Sequence, residues 1–393
     1  MKLIPGDLVA EINRRIDSIR KYMAISGIDA LLVSANSNIY YTTGRFFRGY
    51  VFISLDRPPL WFVIKPETFE PESYWIPIRK PEMIPSALSS LNYPEISNIG
   101  LELDSSTYSD VIRLMALFPG AKLCNGSMPL RKSRMIKTPW EIERMKEDGI
   151  HQVEAYRRIG HLYRSGMTDI EFQIEIERVL RLEGCLGVVR TSGNFMDINL
   201  GSVIAGDNAD EPGPYDFTMG GAGVDPSHPV GANGKTIKRG ETIMIDMNGS
   251  FNGYQTDMTR VWRLGDVPDI AYKAHDCSRK ILHELERIAL PGIPVADLYN
   301  KSIEIVEKDG LKDYFMGHKS KVSFIGHGIG IELNEPPVVM AKSKDILERN
   351  MTIALEPKFV IPGIGAVGIE NSYVVEDTGL KNLTVFSEEI MEL

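Results

Sequence analysis

Glu241-Thr242-Ile243-Met244-Ile245-Asp246 and Tyr254-Gln255-Thr256-Asp257-Met258-Thr259-Arg260-Val261 carry the strongest fold signal in the chain. The first segment is apolar and β-branched, and Asn-Gly turn signals separate it from the second. This predicts a β-hairpin with Asp246 on one arm and Asp257 on the other. Further on, Phe324-Ile325-Gly326-His327-Gly328-Ile329-Gly330 predicts a glycine-rich bend presenting one imidazole, where missing Cβ atoms allow close approach. Met351–Glu356 and Ala366–Glu370 then flank Pro362-Gly363, the pattern of a second hairpin. A loop centred on Gly363 sets Glu356 opposite Glu370, so both project from one face of the sheet. Asp246 and Asp257 lie nearly opposite by the same count.

Four carboxylates and one histidine on one face repel each other strongly unless cations lie between them. Two divalent ions balance four negative charges. The donor set is oxygen-rich with one nitrogen, which suits Mn, Co or Zn better than a thiolate-seeking metal. Any one acidic residue at a strand end is ordinarily a solvated terminus. Asp246, however, follows an Ile-Met-Ile run that reads as buried, where an unpaired carboxylate is costly.

In order and spacing, Asp246-x10-Asp257, Gly326-His327-Gly328-x-Gly330, Glu356-Pro357 and Ile369-Glu370 resemble the dinuclear site of the pita-bread metallopeptidases. The resemblance is to the aminopeptidase P and prolidase branch, which includes the metal-free creatinase, and it covers nearly the whole chain. It implies an α+β fold. A C-terminal pita-bread catalytic domain, a duplicated helix and antiparallel-strand unit at 135–393, follows a smaller mixed α/β creatinase-like N-terminal domain at 1–134. It also implies that Asp246, Asp257, His327, Glu356 and Glu370 hold two divalent ions, with Asp257 and Glu370 bridging them. Glu356 then shuttles the proton, and His228 contacts substrate and assists catalysis. The reaction implied is cleavage of Xaa-Pro peptide bonds by a metal-bridged hydroxide, as a dipeptidase or an aminopeptidase. A homodimer is implied as well, because the N-terminal domain of this branch commonly mediates dimerisation.

Two positions depart from the family pattern. Asn334 stands where a second histidine is usual, and Gly368 stands where arginine commonly precedes the last glutamate by two residues. Asn334 can still donate a hydrogen bond to a substrate carbonyl, but it cannot carry a proton charge. The departures keep open a hydrolase or lyase of the same fold acting on a non-peptide substrate. A non-catalytic binding protein is a third reading, weakened by the presence of all five ligand types.

The rest of the chain is consistent with an ordinary globular protein. Its 393 residues are 43% hydrophobic and 25% charged, enough for two domains with substantial cores. A net charge of −9 argues against nucleic acid as the main partner. Cys124, Cys185 and Cys277 suggest neither a disulfide framework nor a zinc ribbon, so a reducing, cytoplasmic setting is expected. No apolar run has the length of a membrane span, and Met1–Asp7 lacks a long apolar core.

Val9, Ile12, Ile16, Ile19 and Met23 recur at helical spacing, predicting a helix closed near Gly27. Strands are expected at 28–33, 50–55, 60–64 and 98–103, with a helix at 109–118. The connector Pro129–Lys137 is basic. After it Thr138-Pro139-x-Glu141 and Thr168-x-x-Glu171 are two capping boxes, the first opening a helix expected to reach about Arg164. A shift of 126 residues sets Gly166 on Gly292, Gly184 on Gly310 and Phe172, Val179, Leu180 on Leu298, Ile305, Val306, an internal echo of a duplicated half. Between the halves, Ser202–Val230 is rich in Pro and Gly and reads as a long functional loop containing His228. His151, His161, His275, His283 and His318 lack ligand spacing and are expected to have ordinary roles.

Overall fold

The computed structural model describes residues 6–66, 75–193, 197–217 and 219–393; the Met1–Pro5 part of the N-terminus lies outside them. The chain divides into two compact units, Met1–Arg134 and Met135–Leu393.

In the first unit the amphipathic helix Gly6–Ile25 buries Ile12, Ile16, Ile19 and Met23, the stripe its spacing predicts. Among the described residues the sheet has six strands, in the order Trp75–Pro77, Leu60–Lys65, Arg48–Ser54, Ala30–Val33, Asn98–Leu101 and Lys122–Asn125. Ala30–Val33 runs antiparallel to Arg48–Ser54 and parallel to Asn98–Leu101, so the sheet is mixed. Its own core includes Leu32, Phe52, Phe62, Ile99 and Leu114.

The second unit is built from two similar halves. Each has a pair of helices: Pro139–Tyr156 and Asp169–Leu182 in the first, Asp269–Ile288 and Val295–Asp309 in the second. Both expected capping boxes are present, with Thr138 and Thr168 each accepting from the amide of the glutamate three residues on. The first helix stops at Tyr156 rather than near Arg164, and the chain tightens into a 3-10 turn at Ile159–His161. That turn lets Tyr156 and Ile159 both enter the same core.

The echo in the sequence is repeated in the hydrogen bonds. Gly166, Gly184, Gly292 and Gly310 all have positive φ. Asp169 N donates to Lys235 O and Ile237 N to Met167 O, while Val295 N donates to Asp345 O and Leu347 N to Ile293 O. Carried along the strands, this alignment sets Gly240 on Asn350, both with positive φ, and Asp246 on Glu356.

Among the described residues one sheet of this unit runs Met391–Glu392, Thr256–Arg263, Thr242–Gly249 and Gly201–Ala205, and a second runs Glu335–Met340, Phe324–Gly328, Thr352–Leu355, Asn371–Glu376 and Gly379–Asn382. The short ladder Lys358–Ile361 with Gly365–Gly368 extends the hairpin of the second sheet. Gly201–Ala205 corrects the expectation that Ser202 opens a loop: Val203 and Ile204 are buried, and the segment pairs with the Asp246 strand. No helix among the described residues is long and apolar enough to cross a membrane.

Candidate metal centre

Register places the carboxylates. In the first hairpin Asp246 pairs with Thr259 and Asn248 with Asp257, so the two aspartates share a face, offset by one same-face step. In the second, Leu355 pairs with Asn371 and Lys358 with Gly368, which sets Glu356 and Glu370 opposite each other at the break between two ladders. A β-bridge between Thr259 and Glu370 joins the hairpins.

His327 reaches this face from the strand Phe324–Gly328, not from a bend. Its glycine neighbours are there because strands crowd on both sides. A Cβ at Gly326 would stand 2.2 Å from Ala354 O, and one at Gly328 would stand 2.0 Å from Pro336 O. His327 pairs with Ala354, two residues before Glu356, so its ring falls on the carboxylate side.

The five groups converge. Asp257, His327 and Glu370 offer donor atoms within 4.8 Å of one another, as do Asp246, Glu356 and Glu370. His327 Nε2 stands 3.9 Å from Asp257 Oδ2 and 3.8 Å from Glu356 Oε1, too far for hydrogen bonds. Hydrogen bonds fix these residues in place. Thr259 Oγ1 donates to Glu370 Oε2 at 2.8 Å, and Ser372 Oγ accepts from Asp257 N at 2.8 Å. The buried Arg260 donates to the Glu370 carbonyl at 2.8 Å.

One further residue stands in the centre. Lys358 is fully buried, and its Nζ donates to Asp246 Oδ2 at 2.8 Å, Glu356 Oε2 at 2.9 Å and Glu370 Oε2 at 2.9 Å. Lys358 is thus a built-in cation among the four carboxylates, and the charge count behind two divalent ions did not include it. The signal was available in the sequence. Lys358 follows Glu356 by two residues, and residues two apart in extended chain face the same way.

Burial, reinforced by Glu370 and Asp246, pushes the Asp257 carboxyl well above the usual carboxylate range. Burial, then Glu356, pushes Glu370 up to about 8, against the lowering effect of Lys358. Burial alone would lower the Lys358 ammonium, but Asp246, Glu356 and Glu370 outweigh it and hold the group well above its ordinary value.

The two donor groups fit a metal ion differently. Glu370 Oε1 is buried with no hydrogen-bond partner among the described residues, and the residue groups with His327 and Asp257, a nitrogen and oxygen set suited to Mn, Co or Zn. The group of Asp246, Glu356 and Glu370 already surrounds an ammonium.

The site opens into a cavity of about 460 Å³ lined by Asp246, Asp257, His327 and Glu356, with Phe217, Met219, Leu333, Val338 and Met340 forming an apolar wall. Asn334 also lines it, but its Oδ1 accepts from Ser192 N at 2.7 Å and its Nδ2 donates to Ser192 O at 2.9 Å. Its first duty is to hold the Ser192 segment. His228 is not among the lining residues; it borders an adjacent depression that shares Ile198 and Asn199 with the cavity.

Comparison with known proteins agrees with this geometry. Residues 143–377 match metallopeptidase family M24, and residues 15–136 match the creatinase/prolidase N-terminal domain. The chain is 24% identical over 383 residues to an Xaa-Pro dipeptidase of Pyrococcus horikoshii, covering 97% of this chain and 99% of that protein. Among solved structures, an Xaa-Pro dipeptidase from Bacillus anthracis superposes with a TM-score of 0.79 at 24% identity, covering 97% of this chain and 100% of that one. An X-Pro aminopeptidase from Thermotoga maritima gives 0.77 at 22% identity, covering 95% and 100%. With the M24 match spanning both acidic hairpins and the histidine strand, the chain belongs to metallopeptidase family M24, in its aminopeptidase P and prolidase branch.

Proposed function

We propose that this protein hydrolyses the C–N bond of short Xaa-Pro peptides, using a divalent ion, manganese, cobalt or zinc, held by Asp257, His327 and Glu370. The observation that carries the reading is the convergence of these groups beside a cavity that Asp257, His327 and Glu356 line together with apolar side chains. Its size falls within the range that encloses small ligands, roughly 300–1,000 Å³. The Xaa-Pro names of the relatives indicate the substrate class.

When bound, a divalent ion supplies Lewis acidity toward water and the scissile carbonyl. Glu356 carries the proton from the attacking water to the leaving nitrogen, with Oε1 toward His327 and Oε2 held by Lys358. Val338, Met340 and Phe217 seat an apolar ring and keep water from that side. Asn334 orders the rim through Ser192, and His228, one wall away, meets only the outer end of a longer peptide. A reducing, cytoplasmic setting accords with three cysteines that are all unpaired.

A second reading, a non-peptide substrate of the same fold, is favoured by one observation. Asn334, already bonded to Ser192, supplies no protonatable ring to face a peptide carbonyl.

The metal-loaded protein should turn over Xaa-Pro dipeptides or longer Xaa-Pro peptides and spare controls without proline. Asp257→Ala should lose the ion and at least about a hundredfold in kcat/KM, beyond the roughly 10–100-fold typical of residues behind the ligands. Turnover of none of these peptides by protein that retains its ion would transfer support to the non-peptide reading.

A further inference from the structure

We infer that the Lys358 ammonium permanently replaces one of two divalent ions, leaving this chain a centre for a single ion at Asp257, His327 and Glu370. The inference shares with the proposed function only the placing of that ion, and it concerns stoichiometry rather than substrate.

Three observations carry it. First, Lys358 uses all of its donors. An ammonium has three N–H groups, and the three acceptors at Asp246, Glu356 and Glu370 are at 2.8, 2.9 and 2.9 Å. Those lengths are those of charge-assisted hydrogen bonds, about 2.7–2.9 Å. A metal with oxygen ligands needs roughly 2.0–2.2 Å, and it could not share this space with Nζ. With no N–H left for substrate, Lys358 acts as a fixed counter-charge that positions carboxylates, not as a nucleophile or a base.

Second, the three acceptors are the same three residues that form one of the two possible ion-binding groups, while Glu370, which also belongs to the other group, keeps a second oxygen, Oε1, buried with no hydrogen-bond partner among the described residues. With the lysine in place, one divalent ion brings four carboxylates close to neutrality.

Third, the backbone is shaped to admit the lysine. Lys358 pairs directly with Gly368, whose missing Cβ would stand 2.8 Å from Lys358 Cα and 3.2 Å from its Cγ. The lysine stem thus crosses the one residue type that leaves it room.

The test is the number of Mn²⁺ ions bound per chain, read by native mass spectrometry and by calorimetric titration of metal-free full-length protein with MnCl₂. The parent protein should bind one ion, Lys358→Ala two, and His327→Ala none. Two ions in the parent, none in the parent, or a single ion in both the parent and Lys358→Ala overturns the inference. If Lys358→Ala does not fold, the parent and His327→Ala stoichiometries still decide it. These readouts involve no substrate, so a protein that binds one ion and cleaves no Xaa-Pro peptide removes the proposed function and leaves this inference standing.

Discussion

Gly368 shows how one backbone position governs the chemistry of its neighbour. Its φ of +144° lies in the region L side chains rarely adopt, and an added Cβ would meet Pro357 O at 2.7 Å as well as Lys358 Cα. Those are backbone atoms, which cannot move aside cheaply. Gly368→Ala should therefore cost about 1–3 kcal/mol of stability in urea unfolding, the usual range for residues forced into sparse φ/ψ regions. A variant as stable as the parent would mean the backbone relaxes there and the lysine stem is not confined. At this scale the sequence was partly legible. The five expected donors do meet, because hairpin register and the period of two are local properties of the chain. The commitment of Asn334 to Ser192 and the position of His228 outside the cavity depend on where a distant loop comes to rest, which no local spacing encodes. Lys358 lay within reach of the same alternation that placed Glu356.

Among the elements, the helix Pro139–Tyr156 combines a legible start with an unanticipated burden. Thr138, Pro139 and Glu141 fix its first turn, as their types and spacing predict. Its end was less legible because the stop at Tyr156 is set by tertiary packing rather than by a local breaker. The strand Gly201–Ala205 was hidden for a similar reason, since its five residues sit beside a long stretch rich in Pro and Gly. The burden is Asp148. It is buried, and neither carboxylate oxygen has a hydrogen-bond partner among the described residues. Burial raises its pKa from 3.8 to about 8, only partly offset by the nearby Phe251 and Asn252 backbone amides. The folded chain thus keeps a proton that the unfolded chain releases. The stability this lends is complete below about pH 4, falls by about 1.4 kcal/mol per unit as pH rises, and is gone above about pH 8. Asp148→Asn should flatten that fall and be more stable than the parent at pH 8 in urea titrations at pH 5.5 and 8. Identical slopes in the two proteins would show that Asp148 is not the group holding the proton.

For the molecule as a whole, the consequence of an internal cation is that folding and ion binding separate. A site made only of acidic groups would come apart when its ions are withdrawn, whereas here Lys358 still ties three carboxylates together. Chelation should lower Tm by roughly 5–10 °C relative to protein held at a hundredfold excess of ion over Kd. The near- and far-UV circular dichroism should stay native in the chelated protein. Loss of the near-UV signal on chelation at 25 °C would contradict that picture. The alignment of the two halves, continued two residues past Asp246 and Glu356, sets Asn248 on Lys358. Both are buried, but one is a neutral amide and the other a full charge. A molecule assembled from near-copies has thereby become polar across its own pseudo-symmetry axis. One half carries a positive charge in the polypeptide itself, whatever the surroundings contain, at the place where the other has only an uncharged side chain.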